Sequence, residues 1–219
     1  MITPKILIIE GPDNCGKNFV INLINNIVSE NKDWCSAHLE YHCTKPKFPD
    51  IISNKQEKII ITINKYKNIL TDLFELQLNR YNYVNEHTLP EFIIFNRSWI
   101  GEYVYGNIYR GFNDEDCNLI QDEIRKYITY NNHFKKENFI YIQLTANTDW
   151  LQRNDDNKSL SNNKRELIEL EQKRFNDIYN KVDYCEKYKL CTTSLDEKGN
   201  VCWKDKDEIE KELRRILNK

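Results

Sequence analysis

Residues 5–18 read KILIIEGPDNCGKN, an apolar run leading into the spacing G-x-x-x-x-G-K at Gly11 to Lys17. A short continuous apolar run is how a strand buried on both faces of a parallel sheet reads. After it, Lys17 to Glu30 carries Phe19, Val20, Leu23, Ile24 and Ile27 at helical spacing. In this order of strand, loop and helix the spacing has a mechanism. The glycines let backbone N–H groups converge on a phosphate, Lys17 adds a positive charge, and the helix N-terminus adds its dipole. The eighth position departs from the pattern, because Asn18 stands where Ser or Thr would offer a hydroxyl to Mg²⁺. An amide oxygen can also ligate Mg²⁺, directly or through water. The loop candidates for a nucleotide phosphate are therefore Gly11, Asn14, Cys15, Gly16, Lys17, Asn18 and Phe19, with Asn18 as the metal contact.

The rest of the chain alternates strand-like and helix-like stretches. His38–His42 reads as a strand that runs into a proline-broken turn at Pro46 and Pro49. Glu57–Glu86 reads as a long helix, straight or bent. Glu91–Phe95 (EFIIF) and Phe139–Leu144 (FIYIQL) are further buried-strand candidates. Asp149–Arg153 opens a helix, and the polar stretch 154–163 reads as a loop. Arg165–Lys181 is periodic, with Leu167, Leu170, Phe175 and Ile178 as its expected apolar face. Tyr188–Thr192 reads as a last strand. The stretch 196–212 reads as a turn and a charged helix, which Lys206–Leu217 completes. This alternation predicts a three-layer α/β fold with a mainly parallel sheet in one domain.

Composition narrows the function classes. The 219 residues suit one ordinary domain, and 32 basic against 34 acidic residues give a net charge of −2. That balance supplies no general attraction to nucleic acid or to an anionic membrane, so phosphate binding has to come from a local site. Seven cysteines, an odd number without a C-x-x-C pair, favour free thiols in a reducing compartment. His38, His42 and Cys43 lack a matching second pair of metal ligands. No run approaches the ~18 apolar residues of a membrane helix, and the N-terminal run ends too soon in Glu10 for a signal peptide. A cytoplasmic protein is expected.

Four stretches, in order, resemble the thymidylate kinases among the P-loop kinases. IEGPDNCGKN is similar to the opening of that family, where a loop carboxylate, here Asp13, contacts the acceptor sugar and helps place its phosphate. FNRS at 95–98 resembles the D-R or E-R of these enzymes and of deoxynucleoside kinases. Arg97 matches the arginine that stabilises the transferred phosphoryl group, whereas Asn96 replaces the acid. LNRYNYV at 78–84 resembles the segment whose arginine, here Arg80, hydrogen-bonds the acceptor base, with Phe74 as the nearby aromatic. WLQRNDDN at 150–157 resembles the start of the lid, making Arg153 the lid arginine and 151–166 the lid, with Lys158, Lys164 and Arg165 as further cations. The aromatic stretch 101–111 is similar to thymidylate-kinase-like proteins of large viruses and bacteriophages. It adds Glu102, Tyr105 and Arg110 as acceptor contacts, and host cytoplasm as the setting if the chain is viral.

The resemblance implies a three-layer P-loop kinase fold with a short lid, a homodimer, ATP and Mg²⁺, and no nucleic-acid partner. The implied reaction moves the terminal phosphoryl of ATP to a deoxynucleoside monophosphate, dTMP or a related pyrimidine. Asn96 bears on that choice. An acceptor phosphate is already ionised and needs no base, so positioning and charge neutralisation suffice. Two alternatives stay open: a P-loop kinase acting on a nucleoside or a modified base in DNA, and a nucleotide-binding regulatory protein in which Asn18 and Asn96 mark lost metal handling.

Overall fold

The computed structural model describes residues 4–30, 38–42, 46–82, 92–130, 135–154 and 159–218, and only the backbone of 38, 39, 41, 42 and 76–82. Five parallel strands form the central sheet: β1 (Lys5–Glu10), β2 (His38–His42), β3 (Phe92–Asn96), β4 (Phe139–Thr145) and β5 (Glu186–Cys191). Their order is β2-β3-β1-β4-β5. β1 is central, with Ile6 level with Ile93 of β3 and with Phe139 of β4. That position explains its apolar run, because both faces are covered.

The period-2 alternation sorts its side chains between two cores. Leu7 and Ile9 point to one layer, with helices α1 (Lys17–Ser29) and α7 (Lys206–Leu217). Ile6 and Ile8 point to the other. That layer contains α2 (Lys55–Asn82), α3 (Trp99–Tyr109), α4 (Asp114–Tyr130) and α6 (Arg165–Lys181). A short α5 (Thr148–Arg153) follows β4, and an antiparallel hairpin, β6 (Thr193–Leu195) with β7 (Val201–Trp203), follows β5. The three-layer α/β architecture with a parallel sheet is as expected from the sequence.

Several elements go beyond that expectation or change it. The stretch 101–111 belongs to α3 up to Tyr109, and Trp99, Ile100, Tyr103 and Val104 of that helix are all buried. A helix apolar on nearly every side lacks the stripe that marks a surface helix. α4 turns Cys117, Ile120, Ile124 and Ile128 inward. The expected apolar face of α6 is corrected: Leu170 is exposed, and the buried row includes Glu171 and Arg174 beside Ile168, Phe175 and Ile178. Phe19 is exposed as well, and its ring lies beside that of Trp203. The hairpin occupies much of what reads in the sequence as a simple turn.

Among the described residues no helix is long and apolar enough to cross a membrane. Cys15, Cys117, Cys185, Cys191 and Cys202 are free thiols.

Candidate functional site

The loop Gly11–Lys17 lies at the C-terminal end of the central strand, where open parallel sheets place their ligands. Gly11 fits because a Cβ there would meet Leu144 O at 2.7 Å. Gly16, at φ 87°, turns the chain through the left-handed region into α1 without a side-chain cap. The first N–H groups of α1 are thus left for an external partner. Lys17 is buried and folds back over the loop, its Nζ donating to Gly11 O at 2.8 Å and to Pro12 O at 2.6 Å. Thr192 Oγ1 donates to Cys15 O at 2.9 Å and Tyr105 Oη to Gly11 O at 3.3 Å, bracing the loop from two sides.

The end of β3 brings FNRS against this loop. Arg97 has φ 70°, an uncommon conformation for a side-chain-bearing residue, and its N–H donates to Ile9 O at 3.2 Å. Its guanidinium pairs with Asp13 and lies 5.3 Å from the centre of the Tyr105 ring. Asp13 Oδ1 is also 3.9 Å from Lys17 Nζ, and Asp13 Oδ2 accepts from Leu160 N–H at 3.4 Å, which ties the loop to the turn at 159–163. Burial works against the Arg97 charge, but Tyr105, Asp13 and Glu10 around it outweigh that and raise its pKa.

The two departures from the usual kinase pattern touch each other. Asn96 Nδ2 donates to Asn18 Oδ1 at 3.0 Å. A neutral amide pair thus occupies the place where a hydroxyl and a carboxylate would face a metal. Asn18 Oδ1 keeps a second lone pair, so it can make one contact to Mg²⁺. Among the described residues no cluster of three His, Cys, Asp or Glu could hold a metal ion. The residues therefore fit a metal that arrives on a nucleotide, not one held by the protein alone.

Two carboxylates that the sequence reading did not single out complete the site. Glu10 ends β1, and its Oε1 accepts from Ser98 N–H, from Ser98 Oγ at 2.9 Å and from Gly101 N–H at 3.1 Å. It caps the positive end of α3. Burial raises its pKa, opposed by Arg97, Ser98 and Lys17. A Glu ending an otherwise apolar strand was the available signal. Glu171 is buried on α6 and accepts from Tyr109 Oη at 2.5 Å, and Tyr109 stacks on Tyr105 with ring centres 6.2 Å apart. Burial pushes its pKa to about 7 against the lowering effect of the Tyr109 hydrogen bond, with weaker influence from Asp13, Lys17 and Arg97. It was concealed among the charged residues of an ordinary-looking helix.

Other sequence candidates fall elsewhere. Phe74 belongs to the core, its ring 5.7 Å from that of Tyr127, so it does not line the loop. Glu102 is buried, paired with Arg110 and accepting from Tyr66 Oη at 2.7 Å, so these two charges answer each other instead of facing an acceptor. Arg153 is exposed and its Nε donates to Asp149 O at 3.3 Å, back along its own helix. Arg165 pairs with Asp149 and Glu169. The side chains of Arg80, His38 and His42, with all of Lys158 and Cys43, lie outside the described residues.

Comparison with known proteins agrees with this geometry at the level of fold. No protein-family model and no curated protein matches the sequence. Solved structures do match over nearly the whole chain. A thymidylate kinase from Ehrlichia chaffeensis superposes with TM-score 0.61 at 12% identity, covering 98% of both chains. A thymidylate kinase from Candida albicans gives 0.57 at 14% identity, covering 98% of this chain and 91% of the other. The YorR protein of Bacillus subtilis, solved in complex with phosphorylated GDP, gives 0.53 at 13% identity, covering 98% and 96%. The chain has the fold of thymidylate-kinase-like P-loop kinases.

Proposed function

We propose that this protein is a nucleoside monophosphate kinase that transfers the terminal phosphoryl group of ATP to a deoxynucleoside monophosphate, dTMP or a related pyrimidine. The observation that carries the reading is the convergence of Lys17, Asp13 and Arg97 at the braced loop of a thymidylate-kinase fold. The loop N–H groups and Lys17 would hold the donor phosphates. Arg97 would neutralise charge on the moving group, since fixed donors aimed at developing charge lower the barrier most. Asp13 would orient the acceptor, with Arg80 toward its base. Arg153 reaches the phosphates in this reading only if the lid closes and turns it inward.

The carboxylates near the loop favour an acceptor that is already ionised. Glu10 holds the start of α3, Asp13 pairs with Arg97, and Glu171 accepts from Tyr109. Each has an internal partner, an arrangement that suits phosphate attack better than deprotonation of a hydroxyl. Lys17 and Arg97 are two cations beside these three carboxylates. Mg²⁺ arriving with the triphosphate would supply charge neutralisation, and Asn18 Oδ1 would be the oxygen that contacts it.

A second reading rests on the Asn18–Asn96 contact alone: a protein that binds nucleotide without turning it over. ADP release from ATP and Mg²⁺, measured with dTMP, dUMP, dCMP, dGMP, dAMP, the nucleosides and DNA, separates the two. Turnover with one monophosphate is expected. Activity on nucleosides or DNA alone would replace the acceptor assignment, and silence from protein that binds ATP would establish the second reading.

A further inference from the structure

The hairpin that follows β5 builds a surface that the phosphate chemistry does not use. Its base is anchored at several points. Thr192 Oγ1 bonds Cys15 O of the loop, Thr192 N–H donates to Thr145 O at 2.9 Å, and Asn147 N–H donates to Thr193 Oγ1 at 3.0 Å. Its far end closes in a turn in which Asp196 Oδ1 accepts from Lys198 N–H at 2.9 Å and from Asn200 N–H at 2.7 Å. The anchors bring Trp203 against the end of the loop. A Cβ on Gly16 would lie 3.0 Å from two atoms of the Trp203 ring.

Trp203 does not sit there as buried core. It is 43% exposed, and Phe19, on the first turn of α1, is 39% exposed. Their ring centres are 6.4 Å apart with the planes tilted by 36°, and Trp150 of α5 supports Trp203 edge-on at 5.3 Å. A planar ligand sandwiched between two rings needs about 7 Å between parallel planes, two contacts of roughly 3.5 Å each. The Phe19–Trp203 pair is too close and too tilted for a slot. It forms a continuous two-ring face, open on one side, that begins at the last glycine of the phosphate loop.

We infer that this face is a stacking platform for the base of the donor nucleotide, and that it accepts adenine and guanine triphosphates alike. The inference rests on the loop binding a nucleotide, as proposed above. Continuity with the loop identifies the occupant, because a base carried on phosphates held at Gly16 and Lys17 is tethered beside these rings. The chemistry supplies the tolerance. Stacking reads the π-face that every base has, whereas discrimination between adenine and guanine requires hydrogen bonds to base edges.

Binding of ATP, GTP and inorganic tripolyphosphate to the full chain, by calorimetry and by tryptophan fluorescence, tests this. The wild type is expected to bind ATP and GTP within a few-fold of each other, with tryptophan quenching by both and little by tripolyphosphate. Trp203→Ala should weaken ATP and GTP together by roughly ten- to a hundredfold and leave tripolyphosphate unchanged. Trp203→Phe should recover most of the loss. Phe19→Ala removes the other half of the face from α1 while every hairpin residue is kept, and it should weaken the same two ligands selectively, which keeps the test valid if Trp203→Ala misfolds. Lys17→Ala, by contrast, should weaken all three, and its failure to do so would sink the phosphate-loop reading itself. The platform is refuted if the Trp203 and Phe19 variants bind ATP normally, or lose ATP and tripolyphosphate in parallel. A wild type that prefers ATP over GTP by far more than tenfold refutes the tolerance.

Discussion

The two flanks of the phosphate loop are built from opposite materials. Toward the hairpin, the neighbours are ring faces, Trp203 and Phe19, both left partly in water. Toward α3 and α6, the neighbours are Glu10, Asp13, Arg97, Tyr105, Tyr109 and Glu171, which largely answer one another through ion pairs, hydrogen bonds and stacking. The open flank can receive a ligand without breaking anything. The closed flank must exchange an internal partner for each ligand contact. Binding should therefore be sensitive to ring removal on one side, and to charge rearrangement and pH on the other.

The sharpest way to break the closed flank is at its root. Glu10→Ala would leave Ser98 N–H and Gly101 N–H without their acceptor and would leave Asp13 as the carboxylate beside Arg97. A loss of roughly 3–5 kcal/mol is expected in urea unfolding. A loss below 1 kcal/mol would mean that Glu10 does not hold α3. Lys17 stands between the flanks, and Lys17→Ala should lower turnover by roughly 10²–10³-fold with the fold intact by circular dichroism. Unchanged turnover would remove the loop from the mechanism.

Glu171 sharpens the comparison through pH. Burial raises its pKa to about 7 in the folded protein, above the ordinary 4.5. Between those values the unfolded chain has released the proton that the folded one keeps. Stability from this group is therefore full below about pH 4.5 and lost as pH rises through about 7. The wild type should lose up to about 3 kcal/mol from this source between pH 5 and pH 8, and Glu171→Gln should flatten that slope. Equal slopes in urea midpoints for the two proteins would contradict the burial account.

The smallest effect concerns the amide pair. Asn18→Thr with Asn96→Asp should strengthen the Mg²⁺ dependence of ATP affinity by about tenfold, and each single change should do less than its share, because the two side chains are in contact. Strictly additive single changes would mean that the Asn18–Asn96 contact carries no coupling.

Much of the fold was readable from residue pattern. Strands with two covered faces appear as KILIIE, FIIF and FIYIQL, and α7 keeps a clean stripe in Ile209, Leu213 and Ile216. α3 was harder to see, because a helix buried on nearly all sides loses its period. The inward row of α6 was misread because Glu171 and Arg174 are charged, and only their partners Tyr109 and Asp114 make that burial tolerable. That the loop residues, Asp13 and Arg97 lie together was legible because each sits next to a strand end. Glu102 and Phe74 were placed in the site from neighbourhood in sequence, and packing moved them out of it.

By itself the sequence determined a central buried strand, the loop that follows it, the layered alternation and the identity of the two asparagines. These depend on period and spacing within a dozen residues, which local sterics and burial dictate. Tertiary structure alone decided that Asn18 meets Asn96 across 78 positions, that Glu171 is buried against Tyr109, and that Trp203 lies against Gly16. Such contacts depend on the order of strands in the sheet and on which helix face packs inward, and no local pattern encodes either one.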